Sequence, residues 1–333
     1  MRGYFYFHKF IDIMEVMVKK YFLQVIVFVL LLGIAWALFL LRQPAIPKEK
    51  TEMSNQANVS QLEGDLNIKD INSDYFPIRN WMIDEPEISA KAAIVVDSKP
   101  EQQKNNVLYR KNPDQKLPIA SLTKIMTAVI AIENLNLEDI IKVSKDSIFI
   151  DGDNGGLIIE EELRVKDLLY IMLVESSNDA AMAIANDNQK IPYAEFITLM
   201  NDKARQLELN NTQFKDASGL SEENQSTAEE MTNLIKFALN LPMLSEILKT
   251  QKATISSLNN KFIHNLISTN KLLGKIPIIL GGKTGFTAEA GGCMLTLSNI
   301  DNNYLITVVL GSDNREDDTE KLINWAQTAW IWK

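Results

Sequence analysis

The sequence predicts an α+β domain. Segments near its two ends form one antiparallel sheet packed with helices, around a mostly helical middle. Three observations carry this reading. Ala92 to Asp97 (AAIVVD) and Val107 to Arg110 (VLYR) are short β-prone runs around a polar turn, a hairpin pattern. Cys293 to Ser298 and Tyr304 to Leu310 form a second such pair around Asp301-Asn302-Asn303. Between them, apolar residues recur at helical spacing, as in Leu122, Ile125, Met126, Val129 and Ile130.

In chain order, Pro118 precedes that first helical stretch, and Leu163 to Val174, Asp179 to Ala185 and Thr227 to Leu239 read as further helices. Ile278 to Leu280 reads as a strand, and Pro277 just before it is tolerated where a strand begins. A closing helix runs from about Asp317 to Ile331. No internal repeat is evident.

Composition narrows the chemistry. The chain has 333 residues, 46% hydrophobic and 23% charged, with net charge −9, one cysteine and two histidines. Cys293 has no partner for a disulfide. So few histidines and cysteines barely supply a zinc site. No metal and no cofactor are expected. The acidic balance argues against nucleic acid as a partner. A Ser-His-Asp triad could draw only on His8 or His264, so a hydrolase here needs another base.

Phe22 to Leu41 is a 20-residue run without charge, long enough to cross a bilayer as a helix. Lys19 and Lys20 flank it on the N-terminal side, while Arg42, Lys48 and Lys50 follow it. A cleaved signal peptide would have a shorter apolar core and a small-residue cleavage site at its end. The expectation is a single-pass anchor in the cytoplasmic membrane. Residues 1–21 would be cytoplasmic, 22–41 would span the lipid bilayer, 42–75 would be a flexible linker, and 76–333 would be an extracytoplasmic catalytic domain.

The sharpest chemical feature is Ser121-Leu122-Thr123-Lys124 at the start of a helix. Residues three apart share a helix face, so the Lys124 amine can lie beside the Ser121 hydroxyl. Unpaired N–H groups at a helix start can serve as oxyanion donors. A lysine is a base only when neutral, which burial or positive neighbours favour. Alone the motif is weak, since Ser268-Thr269-Asn270-Lys271 repeats it. Ser176-Ser177-Asn178 falls between two helical segments and could project a hydroxyl and an amide into a cleft, but Ser-x-Asn also recurs. Lys283-Thr284-Gly285 occurs once, after Gly281-Gly282. A strand edge ending in glycines lets a peptide substrate lie close, and a lysine with a hydroxyl suits a carboxylate.

The order of the three motifs and the context of each carry the weight. Ser312-Asp313-Asn314 follows Lys-Thr-Gly and stands out of order. With PIASLTKIMTAVIAIE (118–133), LLYIMLVESSNDAAMAIA (168–185), QFKDASGL and QSTAEEM (213–231), and GGKTGFTAEAGGCML (281–295), the sequence resembles the serine-type D-alanyl-D-alanine carboxypeptidases, the low-molecular-mass penicillin-binding proteins. The likeness covers roughly residues 86 to 333.

It implies a β-lactamase/transpeptidase-like fold and an acyl-enzyme reaction on peptidoglycan stem peptides ending in D-Ala-D-Ala, with β-lactams as inhibitors. By resemblance, Ser121 is the nucleophile, Lys124 its base and Ser176 a proton relay. Asn178 holds the substrate or Lys124. Lys283, Thr284 and Gly285 bind substrate, the first two gripping its carboxylate. The backbone N–H groups of Ser121 and Phe286 form the oxyanion hole. Many members add a β-rich domain and a C-terminal amphipathic anchor after the catalytic domain; the N-terminal anchor expected here would replace the latter.

Motifs alone do not separate carboxypeptidases from endopeptidases that cut crosslinks. A class A β-lactamase would carry Glu-x-x-Leu-Asn, whereas Gln206-Leu207-Glu208-Leu209-Asn210 offers a glutamine, which cannot act as a base. A wall-binding module without activity would not need Ser121 and Lys124. Asp151 to Glu162 resembles a calcium loop but has Gly155 at a ligand position, so a plain turn is expected. His264 is expected to pack rather than catalyse, and Cys293 to be a small buried residue. Trp325, Trp330 and Trp332 could serve the core or touch a membrane surface.

Overall fold

β-Branched runs and helical periodicity sort into a sheet with helices on both faces in the computed structural model, which describes residues 77–98, 106–149, 152 and 155–332. All of these belong to one compact unit, Asn72–Lys333. The apolar run 22–41, the segments 1–21 and 42–75, and Asp151 and Asp153 of the acidic loop lie outside the described residues. Among the described residues no helix is long and apolar enough to cross a membrane.

The chain enters through β1 (Ile78–Arg79) and continues into β2 (Ala92–Asp97) and β3 (Asn106–Lys111). A 3-10 turn (Ala120–Thr123) leads directly into α1 (Lys124–Asn134). The middle holds α2 (Val165–Val174), α3 (Asn178–Asn186), α4 (Tyr193–Gln206), α5 (Ala228–Leu239) and α6 (Pro242–Leu248), then the hairpin β4 (Lys252–Ser256) and β5 (Ile263–Ile267). The chain closes with β6 (Ile279–Thr287), β7 (Gly291–Ile300), β8 (Asn303–Ser312), α7 (Arg315–Ala329) and β9 (Trp330–Ile331).

The main sheet has the order β6-β7-β8-β2-β3 with every neighbouring pair antiparallel. Strands from both ends of the domain therefore share one sheet, and the α+β expectation holds. Side chains alternate across it. Ala92, Ile94, Val96, Cys293, Leu295, Leu297, Ile306 and Val308 join the helical core with α1. Ala93, Val95, Leu305 and Val309 pack under α7 with Trp325. Asp301 and Asn302 turn the β7–β8 hairpin with φ of 48° and 64°, the left-handed pair that such a two-residue turn requires.

Several boundaries differ from the sequence pattern. The strand expected at Ile278–Leu280 runs on through Thr287, so Lys283-Thr284-Gly285 lies inside β6 rather than beyond its end. Glycines weaken a strand signal, and pairing with β7 overrides it. The helix expected from Leu163 begins at Val165, because Glu162–Arg164 pair with Ile140–Lys142. The closing helix starts earlier, capped by Asn314, whose side chain accepts from Asp317 N–H, and it ends at Ala329. The pattern does not predict α4, yet Phe196, Met200 and Ala204 at four-residue spacing bury its inner face. Nor does it predict the β4–β5 hairpin, although period-two alternation is present in both strands.

Candidate active site

The first motif does not sit in an α-helix throughout. Ser121 lies in the 3-10 turn and Lys124 is the first residue of α1. Because residues three apart eclipse in a 3-10 turn, the pair is drawn close. Lys124 Nζ donates to Ser121 Oγ at 2.7 Å. Ala120, just before the serine, holds φ of 47°, a left-handed conformation costing a non-glycine residue about 1–3 kcal/mol. Such strain persists only where surrounding packing imposes it.

Lys124 is fully buried. Its amine also donates to Asn178 Oδ1 at 2.7 Å and to the Ser218 carbonyl at 2.6 Å. Asn178 opens α3, and Ser177 caps that helix by accepting from Ala180 N–H. The Asp179 carboxylate accepts from the Gly155 and Leu157 N–H groups and tethers the α2–α3 junction to the preceding loop. The second motif thus meets the first through the Asn178 amide, as its spacing in a loop between helices allowed.

Ser218 is a contributor that the motif reading missed. Its carbonyl is aimed by the Asp216 carboxylate, which accepts from Ser218 N–H at 2.7 Å, Gly219 N–H at 2.6 Å and Ser221 N–H at 2.7 Å. Gly219 takes φ of 94°, and a Cβ there would stand 2.0 Å from the Ala120 carbonyl oxygen. Only glycine fits. The Asp-x-Ser-Gly sequence carried a signal, an acid followed by turn residues, but a backbone acceptor leaves no side-chain mark.

Lys283 comes from β6, the edge strand of the sheet. It is buried, with its amine donating to Ser176 Oγ at 2.6 Å and to the Thr284 carbonyl at 2.7 Å. Ser176 holds φ of 66° at the end of α2, so its hydroxyl turns toward that amine. The hydroxyl of Thr284 pairs with that of Thr269 at 2.6 Å. The third motif is therefore linked to the second by Lys283–Ser176, and to the first by close backbone approach at Gly285. A Cβ on Gly285 would lie 2.8 Å from Ser121 N and 3.1 Å from Ala120 Cβ. Phe286, the next residue, is 68% exposed at the rim.

Arg315, also missed, donates from Nη1 to the Gly285 carbonyl at 2.7 Å, so α7 brings a guanidinium to this end of β6. Its position thirty residues downstream gave no local signal. Cys293 pairs in register with Gly285, packs under Pro118 with Sγ 3.7 Å from its carbonyl oxygen, and is fully buried. Burial pushes its thiol up to about 11, which keeps it protonated and inert.

His264 lies outside this constellation. Its Nε2 is 2.8 Å from Glu161 Oε1, both side chains are buried, and the contact ties the β4–β5 hairpin to the loop before α2. Burial raises the carboxyl of Glu175, the residue before Ser176. Among the described residues no cluster of three or more His, Cys, Asp or Glu side chains could hold a metal. Trp325, on the buried face of α7, packs in the core edge-on to Tyr109 at 5.6 Å and to Trp330 at 6.4 Å.

Half-buried Ser121 with buried Lys124, the Ser-x-Asn loop hydrogen-bonded to that lysine and the Lys-Thr-Gly edge strand all lie within the stretch that matches known proteins. Residues 80–314 match the D-alanyl-D-alanine carboxypeptidase family, peptidase family S11. The D-alanyl-D-alanine endopeptidase of Pseudomonas aeruginosa is 31% identical over 253 residues, 74% of this chain and 79% of that protein. The D-alanyl-D-alanine carboxypeptidase DacF of Bacillus subtilis is 32% identical over 246 residues, 71% of this chain and 62% of that protein. The crystal structure of the Streptomyces K15 DD-transpeptidase superimposes with a TM-score of 0.67 at 27% identity, covering 73% of this chain and 99% of that one. The chain belongs to the D-alanyl-D-alanine carboxypeptidase family and is a serine DD-peptidase of peptidoglycan.

Proposed function

We propose that the protein is a membrane-tethered D-alanyl-D-alanine carboxypeptidase that removes the terminal D-Ala from stem pentapeptides through an acyl-enzyme on Ser121. The single observation that carries this is the Lys124 amine, held between Ser121 Oγ, Asn178 Oδ1 and the Ser218 carbonyl. In the neutral amine, the two fixed acceptors take both hydrogens. The lone pair then faces the serine hydroxyl and receives its proton as Oγ attacks the penultimate D-Ala carbonyl. The backbone N–H groups of Ser121 and Phe286 stabilise the oxyanion.

The proton returns to the leaving D-Ala nitrogen by way of Lys124 or the Ser176 hydroxyl, which Lys283 holds at 2.6 Å. Water then releases the acyl-enzyme. The positive charges of Lys283 and Arg315 near the end of β6 suit a substrate with a free carboxylate beside the cut amide. A β-lactam acylates the same Ser121.

Crosslink cleavage is the second reading, because the endopeptidases of Pseudomonas aeruginosa and Escherichia coli are 31% and 32% identical to this chain over 79% of their own lengths. The tether reading rests on the uncharged run Phe22–Leu41 with Lys19 and Lys20 before it.

Full-length protein in detergent is incubated with pentapeptide stems and with crosslinked dimers, and D-Ala and monomers are assayed separately. Release of D-Ala supports the carboxypeptidase, and monomers alone support the endopeptidase. Neither product, with no penicillin adduct at Ser121, overturns both.

A further inference from the structure

Four large apolar side chains are exposed around the short ladder where the chain enters the domain, Ile78 and Ile331 on the face opposite Arg79 and Trp330, and Trp81 and Met82 in the turn that follows. Ile78 and Ile331 pair across the short β1–β9 ladder and are 49% and 50% exposed. Trp81 and Met82, in the turn after β1, are 82% and 91% exposed. The indole of Trp81 is not loosely attached. The Arg79 guanidinium lies 5.4 Å from its ring centroid, with the Trp325 ring 4.6 Å away and Trp330 at 5.9 Å. Arg79 also donates to the Ile83 carbonyl at 2.6 Å and the Ala329 carbonyl at 3.3 Å. A fixed cation therefore backs an aromatic ring that faces solvent, and Met82, exposed next to it in sequence, has its N–H bonded to Asn80 Oδ1 at 3.1 Å. A concentration of exposed large apolar side chains at one end of a domain marks a contact surface.

We propose that this patch docks the catalytic domain on the surface of the lipid bilayer, an inference that rests on the tether reading above. Only the 36 residues 42–77 separate Leu41 from Ile78, so the patch stands at the point where an anchored chain reaches the domain. A tether of that length holds the patch at an effective concentration of about millimolar, enough for a weak interfacial contact. Tryptophan favours the headgroup region, where its ring is apolar and its N–H stays wet. Exposed Asp84, Glu85 and Glu87 border the patch, which suits a zwitterionic surface better than a strongly anionic one.

Docking there also orients the site. Helix α7 begins at Arg315, bonded to Gly285 beside the nucleophile, and ends at Ala329, whose carbonyl accepts from Asn80 N–H at 2.8 Å. Its 15 residues span about 22 Å. The patch and the catalytic serine sit at opposite ends of that strut, so docking holds the cleft up to a helix length from the lipid, toward the polymer.

The test uses the full chain in phosphatidylcholine vesicles, with a nitroxide on Met82→Cys or, for comparison, on Glu289→Cys near the site; buried Cys293 stays unlabelled. Flotation reports the tether, and collision with oxygen or a nickel chelate reports depth. The expected result is flotation with the label at 82 shifted to high oxygen and low nickel accessibility, and the label at 289 aqueous. Adding Trp81→Ser and Ile331→Ser should abolish that shift while D-Ala release is kept. Flotation with an aqueous label at 82 overturns docking and leaves the tether standing. A label shielded from both reagents assigns the patch to a second copy or to another segment of this chain and overturns lipid as its occupant. Failure to float overturns the tether, and this inference with it.

Discussion

Gly285 tests the close approach on which the site depends. It lies in extended backbone, so alanine meets no conformational penalty there, and the whole effect must come from its methyl group. That methyl would start 2.8 Å from Ser121 N, 3.1 Å from Ala120 Cβ and 3.2 Å from the Ile119 carbonyl oxygen. Both sides are constrained. Edge strand β6 is paired with β7 over its length, and the 3-10 turn is held by Gly219 against Ala120. Restoring an ordinary 3.4 Å contact needs about 0.6 Å of separation between the strand and the turn that carries Ser121.

Overpacking of this kind costs about 1–3 kcal/mol of stability, or roughly 2–4 °C in Tm for each kcal/mol in a domain of this size. A 1 Å misplacement costs on the order of 100-fold in rate, so 0.6 Å corresponds to about tenfold, near 1.4 kcal/mol in the barrier. The assay is the second-order rate of Ser121 acylation by a fluorescent penicillin, with Tm measured on the same preparation. Gly285→Ala should acylate about tenfold more slowly and melt a few degrees lower. Wild-type acylation with an unchanged Tm would refute the claim that strand and turn are in contact here.

Lys124→Met keeps the stem and removes the amine; penicillin acylation should fall by about 10²–10⁴-fold, the usual worth of a general base, and a variant acylating at the wild-type rate would exclude Lys124 from the proton path. Asp318 accepts from Ser89 N–H and Oγ, Ala90 N–H and Ser312 Oγ; burial works to raise its carboxyl, but these hydrogen bonds outweigh it and hold it below the usual carboxylate range. Because the folded value is the lower one, its contribution is complete above the unfolded value of about 3.8 and is lost as pH falls through the folded value. Asp318→Asn should therefore cost about 2–4 kcal/mol at pH 7 in denaturant melts, with the gap closing below pH 4. Glu161→Ala leaves His264 buried without its partner and should cost roughly 1–3 kcal/mol without slowing acylation; a slowed reaction would show that the β4–β5 hairpin also positions the site.

Local chemistry alone determined much of this protein. β-Prone runs and the Asp301-Asn302 turn specified the β7–β8 hairpin, and helical spacing specified α1, because these depend on neighbours within a few residues. The scarcity of histidine pointed to a lysine base, and the order of Ser-x-x-Lys, Ser-x-Asn and Lys-Thr-Gly marked Ser121, Lys124 and Lys283 before any coordinates. Only the tertiary structure could decide what those residues touch. The Ser218 carbonyl at 2.6 Å from Lys124 is backbone and leaves no trace in side-chain identity. Arg315 reaches Gly285 only because α7 packs across the sheet, and Lys283 turns to Ser176 across 107 positions of chain. The continuation of β6 through three glycines likewise came from pairing with β7, a contact between segments that local propensity cannot report.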